Sequence, residues 1–314
     1  MNRYPFCLFR IPENGGRVLW EITNTCNYNC SYCIFSSETK KYEDELTTNE
    51  VKQVIKALKE NNFTYIKFTG GEPFTRKDMI EILEYASNLE FDMDISTNAS
   101  LITKEIAIAL KKIKFAMVHV SLDGYSKELH EYVRGKNTFE PTLRGIKYLT
   151  ENNIYTRIGT VIYKQNEDKL EEIIKLVLNL NCNEIIFSFM EADGRLDGDQ
   201  TIISKRKIED VKKEIENLAM KYKNQIKVKY SFSENKVCKS EETCPAVNKF
   251  LYISNLGEVS PCSWVTSKYP EYKSNINLKN NKFTEIIKSE PIQNYLKYLK
   301  DHNIKGCPVN RRDV

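Results

Sequence analysis

Apolar positions along the chain recur with two alternating periods. From residue 17 to about 190, short runs of alternating or continuous apolar residues are each followed by a stretch with apolar residues every three or four positions. The first run is "RVLWEIT" (17–23), apolar and β-branched as a strand requires. "TTNEVKQVIKALKEN" (47–61) has helical periodicity, with Thr47 or Thr48 as its cap and Glu50 in its first turn. The alternation continues through "YIKFTGG", "RKDMIEILEYASNL", "DMDISTN", "TKEIAIALKKI", "FAMVHVSLDG", "PTLRGIKYLTEN", "YTRIGTVIY", "DKLEEIIKLVLNL" and "NEIIFSFME". Six strands, each paired with a helix over short loops, predict a parallel sheet with helices outside. Six units predict an α/β fold in which a partial (βα)6 TIM-like barrel stays open, since a closed barrel takes eight. Glycine and polar residues gather just after the strands, at Gly70, Asn98, Asp123 and Gly124, where such sheets place their sites.

The pattern changes after residue 200. "SKRKIEDVKKEIENLAMKYKNQ" reads as a charged amphipathic helix. "KFLYISNLGEVSPC" reads as a β-hairpin around Asn-Leu-Gly, and "KFTEIIKSEPIQNYLKYLKDHN" as a helix broken near Pro291. The expected organisation is a barrel over 14–203, a linking helix and strand over 204–235, and a small C-terminal domain of hairpin plus helices over 236–314.

Composition narrows the functional classes. The 314 residues carry 47 basic and 43 acidic side chains, a net charge of only +4. That excludes a strong basic field, so nucleic acid is not the expected partner. No apolar run has the length of a membrane span, and the N-terminal segment lacks the apolar core of a signal peptide. A cytoplasmic protein is expected, in which the nine cysteines would be thiols available for metal or catalysis. Cys7 and Cys182 stand apart and read as ordinary residues. His119, on an alternating strand, reads as a satisfied core residue.

Three cysteines fall within "EITNTCNYNCSYCIF": Cys26, Cys30 and Cys33, spaced C-x3-C-x2-C. A structural zinc site needs four tight ligands, and no fourth Cys or His follows closely. Three thiolates can instead hold three irons of a [4Fe–4S] cube and leave the fourth open. This triplet after the first strand of a (βα)6 pattern, with Tyr32 before the third cysteine, resembles the radical S-adenosylmethionine (SAM) superfamily. "FTGGEP" after the second strand (Gly70, Gly71, Glu72) resembles its SAM-amine motif. "ISTN" (Ser96, Asn98) and "VSLDG" (Ser121, Asp123) resemble the strand tips that face ribose and carboxylate. "HEYVRG" offers Arg134 to SAM or to a helix terminus, and "RIGTVI" (Gly159 to Val161) matches the strand lining adenine. The resemblance covers roughly 17–190. It implies reductive cleavage of SAM to a 5′-deoxyadenosyl radical that takes hydrogen from a substrate, fed by an electron donor such as flavodoxin or ferredoxin.

Cys244, Gly257 and Cys262, spaced C-x12-G-x4-C, resemble the start of the twitch/SPASM extension, which holds an auxiliary [4Fe–4S] cluster. Cys307 fits a third ligand. Where a fourth cysteine would complete a C-x2-C pair stands Asn310. Cys238 then remains open as fourth ligand, hydrogen donor to a substrate radical, or spectator. Glu191, Asp193 and Arg195, after the sixth strand, sit where a substrate would bind. Only 25 residues precede Cys26, few for a leader-peptide domain. An auxiliary cluster with an open iron would suit a small heterocycle. The expectation is therefore radical C–N cleavage of a base such as queuine, with peptide maturation (thioether, epimerisation or crosslink) as the alternative. An iron–sulfur electron carrier is a third reading, with no use for "FTGGEP".

Overall fold

The computed structural model describes residues 12, 14–40, 44–115, 117–192, 194–196, 198–231 and 244–304. The expected alternation forms: β1 (Gly16–Thr23), α1 (Thr48–Glu60), β2 (Phe63–Gly70), α2 (Met79–Asn88), β3 (Asp92–Thr97), α3 (Lys104–Lys111) and β4 (Met117–Ser121). It continues with α4 (Lys127–Arg134), α5 (Phe139–Glu151), β5 (Thr156–Ile162), α6 (Leu170–Asn179) and β6 (Glu184–Phe189). Thr47 caps α1 with a complete capping box, its hydroxyl accepting from the Glu50 N–H. α4 has no counterpart among the expected helices. It is a polar eight-residue helix whose buried side include His130, Val133 and Arg134, so its contacts carry little apolar signal.

Beyond these come α7 (Ile208–Lys221), β7 (Lys227–Tyr230), β8 (Phe250–Ile253), β9 (Val259–Ser260), α8 (Ser263–Lys268), α9 (Phe283–Ile287) and α10 (Glu290–Asp301). Pro291 breaks the last helical run as expected and sits in the first turn of α10, where its missing N–H costs nothing. The sheet has nine strands in the order β7-β6-β5-β4-β3-β2-β1-β8-β9. Neighbours from β7 to β8 are parallel, and β9 returns antiparallel to β8. β7 and β9 are its two edges, so the sheet is open. The expected hairpin exists, but it is not a separate layer: β8 pairs with β1 over Arg17–Trp20. Its apolar residues Leu251 and Ile253 join the main core.

Strand alternation divides the sheet into two faces. Val18, Trp20 and Ile22 of β1, Ile66 and Phe68 of β2, Met93 and Ile95 of β3, and Val118 and Val120 of β4 all pack into the core shared with the helices. The residues between them take the opposite, inner face. There the Arg17 guanidinium reaches Asp94 at 3.2 Å across the intervening strand, lying 4.2 Å from the Tyr65 ring.

Candidate active site

The three cysteines lie on the loop that follows β1, at the carboxyl ends of the strands. Cys26 is buried, and Cys30 and Cys33 are half-buried. The Cys26 N–H donates to Glu38 O at 2.8 Å, and the Tyr28 N–H lies 3.4 Å from the Cys26 sulfur. Burial pushes the Cys26 thiol up to about 12, and it raises Cys30 too, against the opposing pull of Arg134 and Arg195. An uncharged thiol is therefore favoured until a metal displaces its proton. Among the described residues no three Cys, His, Asp or Glu side chains converge on a single ion. Three thiols on one loop, with Arg134 and Arg195 acting on Cys30, fit a multi-iron cluster, which offers a separate iron to each.

Arg195, placed by sequence where substrate binds, instead holds this loop. Its guanidinium donates to the carbonyls of Cys30 and Ser37, and its own N–H donates to Cys33 O at 3.0 Å. Gly194 permits the approach: a Cβ there would sit 2.5 Å from Cys33 O. Glu191 is exposed beyond β6, and Asp193 lies outside the described residues.

Asp123, just after β4, is a hub. One carboxylate oxygen accepts from Tyr32 Oη and, at 2.6 Å, from Arg134 Nε; the other accepts from the Val161 N–H at 2.9 Å. Arg134 also donates to Tyr32 Oη and lies 3.9 Å from the Cys30 sulfur. Tyr32, Asp123, Arg134 and Val161 are thus brought together. Both Asp123 oxygens are engaged by protein, and Arg134 points at the cluster loop rather than at a helix terminus. Val161 presents its side chain beside Tyr32 in a small apolar cluster with Tyr163 and Met190.

The glycine turn is fixed by packing against the cysteine loop. Gly71 N–H donates to Thr23 O at 2.7 Å and Glu72 N–H to Thr25 O at 2.9 Å. A Cβ on Gly70 would lie 2.1 Å from Thr23 O, and one on Gly71 2.2 Å from Thr25 O; Gly70 also has φ +132°. No side chain fits either place. Glu72 is fully buried and ties the β2 tip to β3. It accepts from Phe74 N–H (3.1 Å), Thr97 Oγ1 (2.7 Å) and Asn98 N–H (2.7 Å). Burial nonetheless raises its carboxyl to about 7, these hydrogen bonds opposing. Asn98 in turn donates to Asn27 of the cysteine loop at 2.9 Å. Ser96 and Ser121 sit half-buried on the inner face, in register with His119 and Gly159.

Two inner-face residues escaped the sequence reading. Glu21 on β1 is buried and accepts from Tyr252 Oη on β8. Burial pushes it up to about 7, the Tyr252 bond opposing and Glu45 and Glu258 adding to the rise. Lys67 on β2 is half-buried; burial and the Arg17 charge bring it down to about 8, against Asp94. A charged residue inside each strand run was the available signal. His119 also differs from expectation. It faces inward, and its Nδ1 is buried with no hydrogen-bond partner among the described residues.

At the other end of the sheet, Cys244 and Cys262 pack on one small cluster that includes Val265, Tyr295 and Ile304. Tyr295 Oη lies 3.4 Å from the Cys244 sulfur. Ile304, in the same cluster, precedes Cys307 by three positions in sequence. Cys307, Cys238 and Cys7 lie outside the described residues. Cys182 is buried beside Leu180, as an ordinary core residue is.

The family model for the radical SAM superfamily matches residues 20–177, half of the chain, including the cysteine loop, the glycine turn and Asp123, Arg134 and Val161. This chain belongs to the radical SAM superfamily, whose members use a [4Fe–4S] cluster and SAM. It is 34% identical over 166 residues to an AdoMet-dependent heme synthase of Oleidesulfovibrio alaskensis, covering 52% of this chain and 43% of that one. It is 26% identical over 249 residues to a PqqA peptide cyclase of Bradyrhizobium diazoefficiens, covering 78% of this chain and 66% of that one. The chain thus spans about half to two thirds of the length of these curated relatives. SuiB of Streptococcus suis bound to S-adenosylmethionine superposes with TM-score 0.76 at 16% identity, over 94% of this chain and 73% of that one. The same protein bound to its precursor peptide SuiA superposes with TM-score 0.72. Among the described residues no helix is long and apolar enough to cross a membrane.

Proposed function

We propose that this enzyme oxidises a peptide by hydrogen abstraction at the inner face of the sheet. One observation carries the reading: similarity to a peptide cyclase runs over 78% of the chain, well past the family-model match. Cys26, Cys30 and Cys33 would hold the SAM-binding cluster, and Cys244, Cys262 and Cys307 an auxiliary one. Cys238 is kept as a further ligand or a hydrogen donor. Bound cluster and SAM supply the 5′-deoxyadenosyl radical. The chain's own residues then orient and exclude water. Gly70 and Gly71 let the β2 tip pack directly on the carbonyls of Thr23 and Thr25, and the Tyr32–Asp123–Arg134 network and Arg195 hold the cysteine loop. Ser96, Ser121 and Val161 line the face on which SAM and substrate meet. Radical cleavage of a heterocycle such as queuine is the second reading, and it rests on Asn310 standing in a cysteine's place.

The test is anaerobic iron–sulfide reconstitution of wild type beside the Cys26→Ala/Cys30→Ala/Cys33→Ala triple variant, counting iron and 5′-deoxyadenosine. Short peptides encoded beside the gene, and queuine in parallel, are then assayed by mass spectrometry. The expected result is about eight irons for two [4Fe–4S] clusters and a peptide that loses two hydrogens. Consumption of queuine with every peptide untouched would overturn the peptide reading. Deoxyadenosine from the triple variant would overturn the cluster assignment.

A further inference from the structure

The inner face holds one ammonium, Lys67, that has no ion pair among the described residues, although the Asp94 charge acts on it. Arg17 is ion-paired with Asp94 at 3.2 Å, and Arg157 with Glu184 at 2.7 Å, which Lys229 also meets at 3.0 Å. Lys67 forms no ion pair or hydrogen bond among the described residues, although it stands on a half-buried strand position beside Leu19 and Asp94 in register. His119, two strands away, is held against Gly159: a Cβ at 159 would lie 2.3 Å from His119 Nε2. Its Nδ1 has no hydrogen-bond partner among the described residues. The Lys67 and Arg157 charges both act on this imidazole, and together with burial hold it well below its ordinary pKa, so it is neutral and offers one N–H. Ser96 is the in-register neighbour of His119, and its hydroxyl makes no hydrogen bond among the described residues. An ammonium without an ion pair and an orphaned buried ring nitrogen are each unfavourable, and Asp94 Oδ1 on the same face likewise has no hydrogen-bond partner among the described residues. Their coincidence on one face, beside a free hydroxyl, is the arrangement of a recognition site.

We propose that Lys67, His119 and Ser96 form a subsite for a carboxylate of the substrate. One ammonium without an ion pair and one neutral imidazole match a single negative charge, whereas a phosphate dianion would call on further cations, and Arg17 and Arg157 are already ion-paired. By register His119 and Ser96 lie two strand positions below Ser121 and Gly159, and Lys67 lies four positions below them, deeper than the strand ends where the glycine turn sits. It anchors the substrate from the floor and leaves its other end toward the cysteine loop. The inference rests on the reading above for the inner face as the place of substrate, and it names the chemistry by which that substrate is held.

The test is calorimetric binding to the full-length, reconstituted enzyme with SAM, under anaerobic conditions, using N-acetyl-L-glutamate and N-acetyl-L-glutamine as probes. Saturable binding of the glutamate derivative is expected, with the glutamine derivative at least ~10-fold weaker, as loss of a charge-assisted hydrogen bond implies. Lys67→Gln should erase that preference, Lys67→Arg keep part of it, and His119→Gln weaken it. Iron content and thermal unfolding establish that each variant is assembled. If Lys67→Gln does not fold, Lys67→Arg and His119→Gln decide. Equal binding of the two probes, binding of neither by wild type, or an unchanged preference in the assembled variants would overturn the subsite. A carboxylate preference without turnover of any peptide overturns the peptide reading alone. Peptide turnover with no carboxylate preference overturns the subsite alone.

Discussion

At the residue scale, burial decides which charges this site carries. Glu21 is only 6% exposed, and with its partner Tyr252 it lies on the inner face, its carboxyl raised to about 7 by burial. In the unfolded chain it would titrate near the ordinary carboxylate value of about 4.3. Between those values the folded state holds a proton that the unfolded state has lost, so stability falls as pH rises through that window and levels off above it. Chemical denaturation at pH 5 and pH 7.5 should show wild type losing on the order of 3 kcal/mol relative to Glu21→Gln. Parallel curves would mean that Glu21 is already ionised in the fold at pH 5. Glu72 is also buried and raised, but its role is different. Its two oxygens accept three bonds, two of them from backbone N–H groups. Glu72→Gln would turn an amide N–H₂ toward a donor, and the expected outcome is a loss of about 1–3 kcal/mol in thermal or denaturant unfolding.

At the element scale, two turns lock the cysteine loop from either side. The glycine turn after β2 packs on the carbonyls of Thr23 and Thr25, with no room for a methyl group. Gly71→Ala should cost about 1–3 kcal/mol from overpacking, and it should lower the iron retained after reconstitution. Full iron content with unchanged unfolding would show that the turn moves aside without penalty. From the other side, Arg195 bonds two loop carbonyls with a planar fork that lysine cannot reproduce. Arg195→Lys keeps the charge beside Cys30 but not both hydrogen bonds. Iron from this variant should pass to a chelator several-fold faster than from wild type, and identical rates would remove Arg195 from the loop's support.

At the scale of the whole molecule, the C-terminal region completes the sheet. β8 pairs with β1 over four residues, and Phe283 of α9 meets Phe63 of β2 edge-on with centroids 5.7 Å apart. A chain ending after Ser231 would leave the β1 edge unpaired in a strand of buried apolar residues. It should appear mainly in the insoluble fraction when expressed beside the full chain. Equal solubility would show that the barrel segment folds independently of the hairpin.

Much of this was legible in the amino-acid sequence because it is local. Strand and helix alternation follows from period-2 and period-3.6 patterning. The cap at Thr47, the break at Pro291 and the C-x3-C-x2-C loop are all set within a few residues. Helix α4 was not legible, because its contacts are made by His130, Val133 and Arg134 across the fold rather than by an apolar stripe. The role of Arg195 was misplaced because position after a strand says where a side chain starts, and only the packed loop shows that it turns back to Cys30 and Ser37. The C-terminal hairpin was legible but its pairing partner was not: β8 bonds in parallel to β1, more than two hundred positions away. Lys67 and His119 lie 52 positions apart. The Lys67 ammonium and the His119 ring share one face only because parallel strands put alternate residues on the same side of the sheet. By itself, the sequence determined the family, the C-x3-C-x2-C spacing and the alternating elements, since each rests on short-range spacing. The tertiary structure decided which polar groups are satisfied and which are left open on the inner face, since that depends on partners brought together across the whole sheet.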